Sequence, residues 1–594
     1  MEDDPLVAPD ADADAESDLH LLRRFEPILR FNEGELFLPA AVEDYVRCCE
    51  LFGREPGGKA TLLAAKGTLT IDRLVELGID RPRPGHYLRF VDEPASRSQV
   101  ARWRVRSDRP KFRGASRLAR VGVLSRWIDA LNRASLMFRG RVAGGTEVAA
   151  EMQYRRECRP EYHPYYGRVV RDGGYTVLQY WYFYVFNDWR SRVFGVNDHE
   201  ADWEQITIYL VDRDGDLVPA WIASSAHDEV GDDLRRRWDD PDLTLVGEHP
   251  VIHPGLGSHS GAYLAGEYLT AYDGPAFARL LRWSRRVSRT LLPWTRGQHH
   301  VGLSIPYVDY SRGDGIGIGP GEDRDWQAVR IDETTSWVVH YRGLWGDDTQ
   351  DPLGGERGPA GPRYERTAAV RTSWGDPVGW AGLHKVPPDE HAARAAVGER
   401  LAELDAELGA LDEQIALQRT RVRAVVASGE RVPAADDLHL NTLAADRVAR
   451  RDERLVLARG IDATAPVAGA HDHLRHRRLP VPEETRARRR LLALWSAVST
   501  SFMLAVVVVT LLAPDWKVAT IGVESILLLF AIEALARRQL MRFVVLVVVL
   551  VAAASVALTI GMALVRDWRV VAAVPVALIA LALLVINVRE LLRD

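Results

Sequence analysis

The chain has 594 residues, 27% of them charged, a formal net charge of -6 and three cysteines. The length exceeds one ordinary core and implies at least two folded units; the modest charge gives no reason to expect nucleic-acid binding. Cys48, Cys49 and Cys158 cannot build a disulfide framework and fit a reducing compartment.

Residues 1–18, rich in Asp, Ala and Glu, lack the basic and apolar regions of a signal peptide and read as a disordered acidic tail. Residues 19–388 form a soluble region in which 59–141 reads as an insertion. Between Tyr154 and Trp380 short, aromatic, alternating runs are broken by Gly, Asp and Pro: Tyr175–Phe186, Trp203–Val211, Leu217–Ala226 and Trp337–Arg342. Regularly spaced strands with turn signals predict an all-β sandwich with helical additions. Asp212-Arg213-Asp214-Gly215-Asp216 opens like an EF-hand loop, but Ala223 stands where the closing Glu belongs, so a hairpin turn with Asp214-Gly215 at its tip is the better reading.

The chemically dense stretch runs from Tyr180 through Asn187 and Asp188 to Asp198-His199-Glu200-Ala201-Asp202-Trp203-Glu204. On a strand, Asp202 and Glu204 share one face and Trp203 takes the other. Two carboxylates and an imidazole then converge, a donor set suited to Ca²⁺, Mg²⁺ or Mn²⁺ more than to structural zinc; the competing account is acidic and His residues capping loops at a strand start.

A charged helical stretch, 389–460, carries Leu401, Leu404, Leu408, Leu411, Ile415, Val422 and Val425 at heptad spacing, interrupted by Gln418. After the breaker run Ser428–Pro433 a second helical segment carries Leu443, Val448 and Leu455. An antiparallel hairpin and a coiled coil that oligomerises the protein both suit this pattern; the breaker favours the hairpin. The basic linker 461–490 holds His471, His473 and His476, a candidate metal cluster for which a flexible polar linker is the plainer account.

Within 491–594, four apolar stretches, Leu491–Ala513, Val518–Ala536, Phe543–Val565 and Val570–Val588, each approach the roughly 20 residues that cross a bilayer. They predict a four-helix transmembrane bundle. Arg475, Arg477, Arg478, Arg486, Arg488, Arg489 and Arg490 before the first stretch, and Arg537, Arg538 and Arg542 after the second, place those segments inside, with both termini cytoplasmic in a bacterial cell membrane. Glu524 falls mid-span, where a carboxylate costs about 2.5 kcal/mol or more unless neutralised or facing protein or water. It marks an ion or proton path, a helix contact, or a protonated residue gluing the bundle. Glu533 can pair with Arg537 four residues on.

The string from the aromatic strand through Asn187 or Asp188 to His199-x-x-Asp202-Trp203-Glu204 resembles the signature of the Vps62-like family (vacuolar protein sorting 62-related) and, more distantly, of necrosis- and ethylene-inducing proteins. Phe25–Phe31 with Glu35 and Pro39, Gly257-Ser258-His259 with Tyr263, and Gly343–Gly346 followed by Gly358–Pro362 extend it over about residues 20–385. The resemblance implies a β-sandwich whose metal is held at His199, Asp202 and Glu204 with Asp188 or Asn187 upstream; the donor set suits Ca²⁺ or Mg²⁺, Asp198 is a neighbour, and His259 is either a further site residue or a cap of the turn beside Gly257 and Ser258. Ala201 departs from the toxins' second His, and plant-cell toxicity does not carry over.

Together these readings point to a membrane-anchored, metal-containing binding module at the cytosolic face, with four spans in the lipid and a lipid headgroup, sugar or phosphate as ligand. Self-association through stalk or bundle is compatible with it. A metal-dependent hydrolase is the alternative, although the chain lacks a Gly-x-Ser-x-Gly elbow; a small channel or transporter with a cytosolic sensor is another.

Overall fold

The run Tyr180–Phe186 is apolar on both faces, which suits a strand covered on both sides. In the computed structural model it lies at the centre of a six-stranded sheet and is buried throughout. The structure describes residues 11–54, 59–80, 85–112, 144–188, 198–225, 231–272, 305–347, 358–388, 390–462, 477–482, 485–512 and 515–537, with isolated positions at 120–127, 471–474 and 540–584. The chain divides into a first unit, 1–114, 131–278 and 306–483, and a second, 115–130, 279–305 and 484–594.

In the first unit the strands are β1 Ile28–Arg30, β2 Glu50–Arg54, β3 Ala60–Ala64, β4 His86–Arg89, β5 Pro164–Asp172, β6 Tyr175–Asn187, β7 His199–Arg213, β8 Asp216–Ser224, β9 Arg235–Arg237, β10 Thr244–Val246, β11 His249–Pro254, β12 Gly261–Ala262, β13 Gly266–Tyr272, β14 Ile305–Ser311, β15 Gly317–Ile318 and β16 Gln327–Arg330. The large sheet has the order β16-β5-β6-β7-β8-β9, parallel only between β16 and β5. A second sheet, β10-β11-β1-β15 with β12 beside β11, covers one of its faces. Leu178, Tyr180, Tyr182 and Tyr184 of β6 pack there with Leu29, Phe31, Ile252 and Ile318.

The other face is not sheet-covered. Trp181, Phe183 and Val185 pack against helices instead: of α1 Ala11–Arg24, α2 Val42–Arg47, α3 Ile71–Asp80, α4 Arg97–Arg104, α5 Gly145–Glu157 and α6 Ser336–His340, all but the first supply residues to that core, among them Tyr45, Leu74, Trp103, Tyr154 and Trp337. The β-sheets expected from the sequence are thus present, and the helical additions form a layer of their own.

Several expectations change. Trp337–Arg342, expected as a strand, is helical at Ser336–His340, because Trp337, Val338 and Tyr341 bury at one-turn spacing. The acidic tail gives way to helix at Ala11, and Asp18 is buried where it pairs with Arg171 at 3.1 Å. The described part of 59–141 is integral to the core: β2 pairs with both β3 and β4, and Leu88, Phe90, Val91 and Trp103 are buried with the β6 residues. The hairpin turn at Asp214-Gly215 forms with φ of 57° and 91°, and Arg213 pairs directly with Asp216, as a two-residue loop with both central residues left-handed requires.

Two further helices, α7 Glu390–Ala427 and α8 Ala434–Asp462, lie antiparallel, joined by Arg400–Glu453 at 3.0 Å, Arg450–Glu407 at 2.8 Å and Gln418–Asp436 at 3.2 Å. Leu404, Ile415 and Leu443 are buried along the seam. The exposed ion pairs are screened by solvent and add little, so this seam carries the pairing.

In the second unit one described helix, α9 Arg486–Leu512, is long and apolar enough to cross a membrane. It is followed by α10 Trp516–Ala536. Arg488 reaches the Ala536 carbonyl and Trp495 reaches Glu533, so the two run antiparallel. The third and fourth apolar stretches lie outside the described residues, apart from isolated helical positions.

Trp345 is 1% exposed and its ring meets those of Phe183, Trp203, Trp337 and Tyr341 at 5.4–5.9 Å. Trp345→Ala is expected to destabilise the first unit by about 3–5 kcal/mol, read as a lower urea midpoint in near-UV circular dichroism. A change below about 1 kcal/mol would contradict this packing.

Candidate functional site

The pairing of β6 with β7 sets Asn187 opposite His199, Tyr184 opposite Asp202 and Tyr182 opposite Glu204. As the alternation predicts, Trp203 packs into the helix-covered core, leaving Asp202 and Glu204 on the opposite face. Asp202 is 7% exposed and its Oδ2 accepts from Asn187 Nδ2 and from His259 Nδ1, both at 2.9 Å. The His259 ring lies flat on Tyr184, centroids 3.7 Å apart at 4°. On its far side Nε2 is 3.8 Å from Glu35 Oε1, an electrostatic contact too long for a hydrogen bond.

His259 is placed by the turn before it. The Gly257 amide donates to Glu35 Oε2 at 2.9 Å, and its carbonyl accepts from the Asp188 amide at 3.0 Å. Gly257 has φ of 71°, and a Cβ there would come within 2.4 Å of Asp188 Oδ1. Only glycine fits. Two residues of the site, Ala201 and His259, also adopt left-handed backbone, φ 57° and 55°, which costs a non-glycine residue about 1–2 kcal/mol. Ser258 Oγ donates to Asp309 Oδ1 at 2.7 Å, and Asp309 Oδ2 accepts from Arg478 at 3.2 Å, so the linker after the helical hairpin docks beside the site.

The electrostatics follow from burial. Burial disfavours charge on His259, but the hydrogen bond to Asp202 and the attraction of Glu35 outweigh it and raise its pKa to about 10. Burial, and then the Asp202 carboxylate, push Glu204 well above the usual carboxylate range; Ser225 Oγ donates to its Oε2. His199 is lowered by burial, and its Nδ1, 2.7 Å from the Ala201 carbonyl, carries the proton of a neutral ring.

Of the residues expected from the sequence, Asn187, Asp202 and His259 are directly bonded, Glu204 lies two residues along the same face, and Asp188 packs against the Gly257 turn. Asp198 is buried just before β7, and Glu524 is exposed on α10. Among the described residues, the ligating groups whose donor atoms lie within 4.8 Å of one another are Asp240, Asp242 and His471, and Arg477 and Arg236 already lie against those acids. His473 and His476 lie outside the described residues. Sequence reasoning missed Glu35 as a site residue, the stacking face of Tyr184, and Glu200, whose carboxylate accepts from the Phe90 and Val91 amides at 2.9 and 2.7 Å and so is structural. Glu35 was visible only as part of a conspicuous N-terminal segment.

A divalent cation is compatible with this cluster. Asn187 Oδ1 and His259 Nε2 are buried and hydrogen-bond to none of the described residues, an oxygen and an imidazole nitrogen of the kind such an ion takes, with Asp202 and Glu35 on either side of the imidazole. Without an ion, a protonated His259 supplies the positive charge between these acids.

No protein-family profile matches the chain, and no curated protein matches it. Among solved structures, the necrosis and ethylene inducing protein 2 from the causal agent of cocoa's witches' broom disease matches with 18% identity and a TM-score of 0.14 over 17% of this chain and 44% of that one. The match spans less than half of that structure, and a likeness of this extent carries no conclusion about fold or chemistry.

With its folded pKa raised to about 10, His259 contributes stability that is complete below about pH 6.5 and is lost as pH rises through the folded value. In the ion-free protein the His259 ring nitrogens should therefore keep imidazolium ¹⁵N shifts at pH 8. Asp202→Asn should bring the titration down by at least one unit; a neutral ring at pH 7 in the wild type would refute the charge assignment.

Proposed function

We propose that the chain is a membrane-attached binding module whose β-rich unit takes a divalent cation, Ca²⁺ or Mg²⁺, at Asn187 Oδ1 and at His259 Nε2 facing Glu35, with Asp202 behind both side chains, and there recognises an oxygen-rich ligand such as a lipid headgroup, sugar or phosphate. The observation that carries this reading is the buried pair of unsatisfied atoms, Asn187 Oδ1 and His259 Nε2, beside a carboxylate that both residues already touch. Asn187 and Asp202 fall in the string on which the Vps62-like resemblance rests, and His259 in its Gly-Ser-His element. The cation would supply a positive centre with positions left for ligand oxygens. Asp202 holds Asn187 and His259 in orientation, Tyr184 screens the ring from water, and Glu35 adds negative charge on the far side.

The membrane part of the reading rests on the apolar helix α9 and on the three apolar stretches that follow it in sequence. Four spans, with Arg-rich ends inside, would place the β-rich unit at the cytosolic face.

Elemental analysis and calorimetry of the full-length protein in detergent test the site. Wild type should bind Ca²⁺ or Mg²⁺, more tightly as pH rises because proton and ion compete for His259, and Asp202→Ala should weaken binding by about tenfold or more. Absence of binding in the wild type would remove the reading; chelator-sensitive turnover of phosphoesters would replace it with hydrolysis. For the membrane, the full chain should resist carbonate extraction, and deletion of residues 486–594 should move it to the soluble fraction.

A further inference from the structure

Residues 477–482, between the helical hairpin and α9 in the chain, are seated on the first unit by three kinds of contact. Arg477 Nε donates to Asp242 Oδ2 at 2.7 Å, and its Nη2 donates to Oδ1 of the same carboxylate. The Arg478 guanidinium donates to Asp309 Oδ2 at 3.2 Å and to Ser260 Oγ at 3.4 Å, and lies over the Tyr268 ring, 4.6 Å from its centroid. The Val481 amide donates to the Glu267 carbonyl at 2.7 Å, and Pro480 lies so close that a Cβ at Gly266 would come within 2.4 Å of it. Gly266, Glu267 and Tyr268, the first residues of β13, are thus the seat of this segment.

Asp309 joins the seat to the turn that carries His259. It is 2% exposed, and its two oxygens serve different segments: Oδ1 accepts from Ser258 Oγ at 2.7 Å and Oδ2 from Arg478. Ser258 and Ser260 flank His259 and are 1% and 0% exposed, so Arg478 meets the turn directly at Ser260 and through Asp309 at Ser258. Gly255 leaves room for this, since a Cβ there would come within 2.1 Å of Ser258 Oγ and 2.2 Å of Asp309 Oδ1. Elsewhere the same turn is held by the Asp188 amide on the Gly257 carbonyl and by the Gly257 amide on Glu35. A buried carboxylate is tolerated beside a counter-charge, and withdrawing Arg478 obliges Asp309, and Ser258 with it, to change partners. Turn and segment belong to one hydrogen-bonded network.

We propose that residues 477–482 are a regulatory strap whose docking is coupled to the His259 turn: the docked strap holds the turn in its site geometry, and the ordered turn holds the strap. The regulatory role rests on His259 being a site residue, as proposed above; the coupling of turn and strap does not. Pro482 precedes Arg486, the first residue of α9, by four positions. Release of the strap therefore frees six residues, about 20 Å of extended chain, between the β-rich unit and that helix. Ligation at the turn shortens the tether, and its loss lengthens it. By linkage, the factor by which an ion favours the docked strap equals the factor by which docking favours the ion.

The test is hydrogen exchange of the full-length protein in detergent, read by mass spectrometry over residues 254–262 and 477–482. Arg477→Gln alters a side chain that bonds Asp242 and leaves Arg478, Asp309 and the turn chemically intact. It should speed exchange about fivefold or more in the strap and in the turn as well. Ser258→Ala should act in the other direction, speeding exchange in the strap from a change made in the turn. Exchange that rises only in the segment carrying the substitution would overturn the coupling and leave a merely structural contact. Should Ser258→Ala fail to fold, Arg477→Gln, made on a side chain 35% exposed, decides alone. Ca²⁺ or Mg²⁺ added to the wild type should slow exchange in both segments; slowing in the turn with an unchanged strap would overturn the proposal. If neither ion alters the turn, the regulatory role and the site reading fall together, while the two variants still decide the coupling.

Discussion

A carboxylate removed from water is tolerated when hydrogen-bond donors and a counter-charge meet it, and at Asp202 both come from other segments of the chain. Asn187 reaches it from the end of the neighbouring strand and His259 from the turn between β11 and β12. The positions of β6, β7 and the Gly257 turn are therefore coupled through one oxygen atom. The aromatic core below supports this arrangement: Tyr184 belongs both to the packing between the sheets and to the floor on which His259 lies. Polar bonding and apolar burial are not separate layers here, since one ring serves both.

The parts of the fold governed by local rules were legible in the sequence. Alternation located the large sheet's central strands, and Asp214-Gly215 marked a turn whose two left-handed residues the structure contains. The opposition of Trp203 to Asp202 and Glu204 followed from strand geometry alone. Parts that depend on tertiary partners were not legible. Trp337-Val338 carries β-prone residues, yet folds as a helix because the core offers a surface one helical turn wide. Glu200 sits among site residues in sequence and serves the packing of β4's extension instead. Glu35 lies far from the signature in sequence and joins it only through the fold.

The helical unit follows the opposite logic. Hydropathy singles out its helices, and the mid-span Glu524 draws attention because a lone carboxylate in an apolar run is conspicuous. The buried, multiply bonded carboxylate is Glu533, and its partner Arg126 comes from a segment 407 positions away. A sequence reading can propose the Glu533–Arg537 pair, since four-residue spacing is a helical rule, but the third member arrives only with tertiary structure.

The Gly257 turn has a consequence for the order of assembly. Glu35, the Asn187–Asp188 pair, Asp202 and His259 meet only when segments more than two hundred residues apart have come together, with Gly257 against Asp188 and Glu35. Loop closure over such distances comes late, after local hairpins have formed. A fragment ending before the turn would retain the whole signature string and still lack the assembled cluster around Asp202. Such a fragment would also end before the apolar helix α9, so the cluster and the apolar segment would be lost together.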